Sequence, residues 1–218
     1  MINARSVGNK AASIIDLIIE NNLDVLVITE TWLYSDQDAK KNAITPEGYV
    51  IFSNSRDCRR GGGVAVICRR ELQCKIADSP LNCNSFECFQ LDITSNNKTM
   101  SLFPIYRPEP NTVSMSTFFD EFSSYLEIQS ILSHDIIILG DFNIHMDMLN
   151  SQNANKFSEI LSGFDLIQHV TENTHESGHI LDLVISRQND FVSNVRVGEF
   201  FSDHKVISFD LKGRRPVI

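Results

Sequence analysis

The 218-residue chain is 42% hydrophobic and 22% charged, with a formal net charge of −9. This length suits one well-buried domain rather than two, and no apolar run approaches the roughly 20 residues that span a bilayer, so a soluble protein without membrane association is expected. The acidic balance argues against a protein that grips nucleic acid with a broad basic surface, but it leaves a nuclease open, because bound cations offset carboxylates at a reaction centre. The start of the chain lacks a basic region followed by an apolar core and a cleavage site, which points to an intracellular protein. Five cysteines, Cys58, Cys68, Cys74, Cys83 and Cys88, lack a paired metal-ligand spacing and read as reduced structural thiols.

In chain order, Ala11, Ile14, Ile15, Ile18 and Ile19 follow helical spacing up to the break at Asn21-Asn22. Val25 to Ile28 then reads as a buried strand. From Tyr49 to Tyr106 short runs rich in Val, Ile, Phe and Thr alternate with turn formers such as Asn82-Cys83-Asn84-Ser85 and Ser95-Asn96-Asn97, the pattern of an antiparallel meander. Within it, Gly61-Gly62-Gly63 lacks the Gly-Lys-Ser/Thr ending of a nucleotide-binding loop and reads as a flexible turn entering a strand. The basic residues Arg56, Arg59, Arg60, Arg69, Arg70 and Lys75 read as a solvated hairpin, with contact to a nucleic-acid backbone as the alternative. The pattern predicts a helix over about 114–132, a strand ending at Asp141, a helix over about 153–161, and strands near 181–186, 192–197 and 205–211. One α/β (α+β) domain over 1–212, with two packed sheets flanked by helices, and a tail at 213–218 account for the whole pattern.

The chemistry concentrates where Ile136-Ile137-Ile138 runs into Leu139-Gly140-Asp141-Phe142-Asn143. A carboxylate and a carboxamide surface at the end of a buried strand; if the chain stays extended they point the same way, as a general base or metal ligand beside a neutral hydrogen-bonding group. Acidic or amide residues also flank other strand-like runs: Asn3, Glu30, Asp182 and the Asp203-His204 pair. Together they predict a hydrolytic site that uses a divalent metal.

Seven pieces, in order, carry a resemblance: Asn3-Ala4-Arg5-Ser6, Thr29-Glu30-Thr31-Trp32-Leu33, Arg60-Gly61-Gly62-Gly63-Val64, Tyr106-Arg107-Pro108, Gly140-Asp141-Phe142-Asn143, Thr174-His175 through Gly178-His179-Ile180-Leu181-Asp182, and Ser202-Asp203-His204. The chain resembles the endonuclease/exonuclease/phosphatase superfamily and, within it, the apurinic-type endonuclease domain of non-LTR (LINE-like) retrotransposons. The resemblance implies a four-layer, DNase I-like sandwich of two mixed sheets between helices, with the site at one edge. It implies a Mg²⁺-dependent DNA endonuclease, with Mn²⁺ as a substitute, that nicks by direct water attack. The ends would be a 3′-hydroxyl, to prime reverse transcription, and a 5′-phosphate.

The same resemblance assigns roles. Glu30, Asp203 and Asn3 would hold the metal, and Asp141 would orient or deprotonate water. Asn143 would hold that water or a phosphate oxygen, and Tyr106 would donate to phosphate. His204 would meet the scissile phosphate with Asp182 fixing its tautomer. Thr174, Arg107 and Ser202 would contact substrate. His175 and His179 are read as loop braces, and Trp32 as packing. Implied partners are DNA and the reverse transcriptase domain of the same element, for a monomer acting in the nucleus; a phosphatase of the same superfamily and an inactive binding domain are the alternatives. The chain departs from the pattern twice. It begins two residues before Asn3, where the family has a full strand, which places Asn3 on a frayed end. Arg5 stands where repair members carry an acidic residue.

Overall fold

A computed structural model describes residues 1–34, 36–54, 61–77, 83–96, 98–109, 113–132, 134–187 and 191–212. In chain order it runs β1 (Ile2–Asn3), α1 (Ala11–Glu20), β2 (Val25–Thr29), α2 (Asp38–Ala43), β3 (Tyr49–Asn54), β4 (Val64–Arg69), β5 (Gln73–Ala77), β6 (Glu87–Cys88), β7 (Gln90–Ser95) and β8 (Lys98–Tyr106). Then follow α3 (Met115–Ser130), β9 (Asp135–Asp141), α4 (Gln152–Gly163), β10 (Leu166–Gln168), β11 (Asp182–Arg187), β12 (Val192–Phe200) and β13 (Lys205–Leu211). One sheet has the order β1-β2-β4-β3, and the second runs β10-β11-β9-β8-β7-β5, with β6 pairing β8. The β12–β13 hairpin joins the open edge of the first sheet, where Ile207 N donates to Met1 O at 3.0 Å and the Met1 nitrogen donates to Ile207 O.

Strand alternation separates the layers. On β2, Val27 enters one core while Leu26 and Ile28 enter another; on β4, Val64, Val66 and Cys68 go with Val27, and Ile67 goes with Leu26. The Leu26 side is covered by α1, whose Ile14 and Ile18, one turn apart, are fully buried. The Val27 side faces the second sheet. Beyond that sheet lie α3 and α4, so β9 is covered on both faces and Ile136, Ile137, Ile138 and Leu139 are all buried. The result is the four-layer, DNase I-like sandwich expected. Ser114 and Ser151 start α3 and α4 by accepting from the backbone of Thr117 and Ala154 at 3.1 and 3.3 Å.

An aromatic cluster locks the second sheet to its helices. Phe157 of α4 stands 5.4 Å from Phe122 of α3 and 5.2 Å from Phe142, ring centre to ring centre. Phe142 directly follows Asp141, so this cluster also anchors the strand end that carries the carboxylate.

Four expectations need correction. The stretch 49–106 is not one meander: β3 and β4 complete the first sheet, and β5, β7 and β8 belong to the second, because the chain crosses between sheets after β4. α2 and β10 escaped the pattern, since α2 buries no residue and β10 is three residues long. Asn3 is not frayed; it is 1% exposed, and β1 pairs in parallel with β2, Asn3 opposite Thr29. The glycine run is more than a flexible turn, because Thr31 N and Trp32 N donate to Gly63 O and Gly62 O at 3.1 and 2.8 Å. Arg56, Arg59, Arg60, Cys58 and the tail 213–218 lie outside the described residues; the other four cysteines are free thiols. Among the described residues no helix is long and apolar enough to cross a membrane.

Gly140 is where β9 presses on β8: a Cβ there would overlap the carbonyl oxygen of Ile105 and lie 2.6 Å from its carbon. Gly140→Ala is therefore expected to cost about 2 kcal/mol or more of unfolding free energy in a denaturant titration, because backbone rather than a flexible side chain must give way.

Candidate active site

Six strand ends converge at one edge of the sandwich. Asn3 closes β1, Glu30 follows β2, Tyr106 ends β8, Asp141 ends β9, Asp182 opens β11, and His204 precedes β13. Register makes the convergence inevitable, because Asp141 is paired with Tyr106 on one side and with Asp182 on the other. Loops at the ends of rigid strands then present the side chains.

His204 is the hub. Its Nδ1 donates to Asp182 Oδ2 at 2.7 Å, and its Nε2 lies 4.0 Å from Asp141 Oδ2 and 3.5 Å from Asn3 Nδ2. Asn3 Nδ2 in turn donates to Asp141 Oδ2 at 2.9 Å and Glu30 Oε1 at 3.2 Å. Asp141 and Asp182 are each 1% exposed and His204 5%. Burial, and then the charge of Asp182, push the Asp141 carboxyl well above the usual carboxylate range. Burial opposes the charged form of His204, but the hydrogen bond and charge of Asp182, with Asp141 and Asp203 behind them, raise its pKa to about 9. The surrounding carboxyl groups thus favour the imidazolium form of the ring.

Several residues brace this hub. Asp141 and Asn143 do not point the same way: the strand ends at Asp141, Asn143 turns into the left-handed region (φ 49°), and its N–H donates to Asp141 Oδ1 at 3.0 Å in an Asx turn. The Asn143 amide donates to Arg107 O at 2.7 Å, so its carboxamide orients the loop instead of projecting beside Asp141. Arg107 is 3% exposed, and its Nε and Nη2 donate to the carbonyls of Phe142 and Asn143 at 2.6 and 2.8 Å, making it a loop brace rather than a substrate contact. Thr174, also expected to touch substrate, is fully buried; its Oγ1 accepts from Leu181 N and Asp182 N at 3.0 and 3.1 Å and so fixes the start of β11. Ser202 Oγ donates to Asn3 O at 2.8 Å and accepts from His204 N at 3.1 Å, tying β1 to the His204 turn. Tyr106 is 8% exposed beside Asp141. His175, read as a loop brace, packs edge-on against His204, ring centres 4.6 Å apart, and its Nε2 lies 3.7 Å from Asp203 Oδ2, which also places it among possible metal ligands; His179 Nδ1 bonds Asp147 Oδ2 at 2.9 Å.

Three contributors escaped the sequence reading. Trp32 donates from Nε1 to Glu30 Oε2 at 3.2 Å, Glu87 Oε2 accepts from Gly63 N at 2.5 Å, and Asp147 holds both His179 and Ile180 N. For Trp32, proximity to Glu30 was the available signal; for the other two there was none. Left-handed backbone at Arg5, Ser6, Glu30, Trp32 and Asn143 concentrates at this edge, as strain does where geometry serves a site.

The residues fit a divalent cation. Glu30 and Asp203 offer hard oxygen donors of the kind Mg²⁺ takes, and Oδ1 of Asp203 is buried without a hydrogen-bond partner among the described residues, but Asn3 Oδ1 already accepts from Arg5 N, and Glu30 stands outside both groups of side chains that close in on one point. Ligand atoms of His175, Asp203 and His204 lie within 4.8 Å of one another, as do those of Asp141, Asp182 and His204.

The profile of the Endonuclease/Exonuclease/phosphatase family matches residues 2–204. Among solved structures, the endonuclease domain of TRAS1, a telomere-specific non-LTR retrotransposon, aligns with a TM-score of 0.74 at 14% identity over 96% of this chain and 95% of that one. AP endonuclease LMAP from Leishmania major gives 0.76 at 14% identity, covering 97% and 86%. The 3′ phosphatase NExo from Neisseria, solved with a product DNA hairpin, gives 0.71 at 16%, covering 97% of each chain. At these identities the likeness is one of fold. No curated protein sequence matches the chain.

The His204 charge makes a stability test. A histidine whose folded pKa is raised from 6.5 to about 9 contributes stability that is complete below pH 6.5 and lost as pH rises through 9. In EDTA the difference in unfolding free energy between the parent and His204→Asn should therefore shrink from pH 6.5 to 9.5, by up to about 1.4 kcal/mol per pH unit. A pH-independent difference over that range would remove the charged pair from the account.

Proposed function

The chain belongs to the endonuclease/exonuclease/phosphatase family, a family of hydrolytic nucleases and phosphatases, and on that basis we propose that it is a divalent-metal-dependent DNA endonuclease. It nicks by direct attack of water on a phosphodiester, leaving 3′-hydroxyl and 5′-phosphate ends. The observation that carries the reading is the buried Asp141–His204–Asp182 row, with Asn3 linking Asp141 to Glu30.

A phosphodiester resists attack because its oxygens are negative and its leaving group is poor, so a site must supply positive charge and a proton acceptor. Asp141, whose proton affinity is raised, accepts the proton of the attacking water. His204, held charged by Asp182, faces the phosphate and offsets the charge that develops on its oxygens. Asn3 keeps Asp141 and Glu30 in register, and the Tyr106 hydroxyl donates to phosphate. Glu30 and Asp203, with Asn3, would hold Mg²⁺ or Mn²⁺, which would supply positive charge to the phosphate and to the departing oxygen. Direct attack is supported by what the His204 ring nitrogens meet among the described residues, Asp182, Asn3 and Asp141, none of which carries a hydroxyl or thiol nucleophile.

The similarity to the TRAS1 endonuclease domain supports DNA as substrate and a retroelement role, in which the 3′-hydroxyl primes reverse transcription by a partner domain of the same element in the nucleus. The chain acts as a monomer in this reading.

With supercoiled plasmid, the parent should yield open circles in Mg²⁺ and none in EDTA. Asp141→Asn and His204→Ala should each slow nicking by about 10²–10⁴-fold while retaining the parental circular dichroism spectrum. Turnover of small phosphate monoesters in preference to plasmid would move the assignment to a phosphatase, and plasmid binding without cleavage would move it to a binding domain.

A further inference from the structure

Four carboxylates, Glu30, Asp141, Asp182 and Asp203, stand at the edge where a polyanion would enter, on a chain of net charge −9. Coulomb repulsion makes a local cation necessary for such a substrate. Arg107 is engaged on loop carbonyls, and the Lys10 ammonium donates to Ala4 O at 2.6 Å and rests over the Phe201 ring. Arg5 is placed differently. Its Nη1 donates to Asp203 Oδ2 at 2.7 Å, yet 61% of its side chain is exposed, so the guanidinium is anchored through one nitrogen on a largely exposed side chain that retains further N–H donors.

The backbone around Arg5 is built to hold that pose. Arg5 and Ser6 both occupy positive φ, 44° and 92°, at a cost that only a surrounding network sustains. Arg5 N donates to Asn3 Oδ1 at 3.0 Å and Ser6 N donates to Glu30 O at 2.8 Å, so the turn is pinned to two residues of the site itself. Asp203, the anchor, is the neighbour of His204 in sequence.

We propose that Arg5 is a substrate-binding residue: anchored by Asp203, it presents its free N–H donors to a phosphate of the nucleic acid beside the scissile bond. The inference rests on the phosphodiester-cleaving reading of the site. A planar fork with one corner fixed is preorganised for two parallel bonds to phosphate oxygens, which a lysine at this position would not reproduce. It also gives the acidic chain a cation where an acidic residue would have added to the repulsion.

The test uses the Asp141→Asn chain, a duplex oligonucleotide labelled with a fluorophore, and EDTA, so that neither cleavage nor metal enters the measurement. Adding Arg5→Ala should weaken binding about tenfold and lower the slope of log K against log salt by about one, with Arg5→Lys intermediate. Loss of Arg5 also frees the charge of Asp203, so the same comparison is made in an Asp203→Asn background. There Arg5→Ala should still weaken binding; if it does not, Arg5 merely neutralises Asp203 and the proposal falls. Parental affinity and slope in Arg5→Ala overturn it as well, with the endonuclease reading intact. Hydrolysis of bis-p-nitrophenyl phosphate, followed in chains that keep Asp141, separates the two ideas. If DNA is neither bound nor cut but this diester is hydrolysed with a KM that Arg5→Ala raises severalfold, the phosphate contact stands and the DNA reading fails. If neither probe is bound or turned over, both fall.

Discussion

Two carboxyl groups buried in one place repel each other and have lost their water, and the whole edge of this sandwich is arranged around making that tolerable. Asp141 and Asp182 face the same imidazole, 4.0 and 2.7 Å from its two nitrogens. Removing His204 would leave uncompensated buried charge or force both groups to protonate, the situation in which breaking a buried pair costs most. The ring is therefore held charged far above its usual range, and Asp141 takes up protons more readily than an exposed aspartate. The same burial that folding must overcome raises the proton affinity of Asp141 beside a ring whose charge is favoured, the combination on which the proposed hydrolysis rests.

Around the hub, hydrogen-bonding groups are turned toward the loops rather than outward. Arg107 grips the carbonyls of the Phe142–Asn143 turn, Thr174 fixes the first amides of β11, Ser202 bridges β1 to the His204 turn, and Trp32 holds Glu30. The aromatic cluster under Phe142 fixes the same turn from the other side. Side chains whose rotamers are locked by such partners hold a reaction geometry without reorganising, and this preorganisation links the core packing to the proposed chemistry. The positive-φ residues at this edge belong to the same arrangement: each is held in a costly conformation by bonds that also position a neighbour.

The acidic character of the chain and a polyanionic substrate are compatible only if attraction is local. The net charge of −9 gives no overall attraction, and Arg107, the residue whose motif pointed to substrate, is buried. Among the described residues, the Arg5 guanidinium tied to Asp203 is an exposed cation at this edge, beside the buried His204 ring. Affinity built on so few cations depends strongly on geometry at the site and on any further domain that brings DNA to it.

Much of the strand and helix patterning and the DNase I-like fold class were legible in the sequence, as was the placing of Asn3, Glu30, Asp141, Asp182 and His204 beside strand-like runs, because apolar alternation and polar residues at strand ends are local signals. The start of α3 near Ser114 was legible from the apolar pattern, whereas α4 begins just before the expected 153, where the Ser151 side chain caps it. What the sequence could not decide was direction and partnership. Whether 49–106 formed one sheet or two depended on where the chain crosses the core, which periodicity does not encode. Whether Asn143, Arg107 and Ser202 faced a substrate or a neighbouring carbonyl depended on groups tens to hundreds of residues away, and Thr174 turned inward to the first amides of β11. Asn3 looked frayed because its place in the chain says nothing of β2 and β13, which bury it. Residue types and their order thus determined which chemistry was possible, and only the tertiary contacts determined which side chains were left to perform it, since each hydrogen bond made within the fold removes a donor or acceptor from the site.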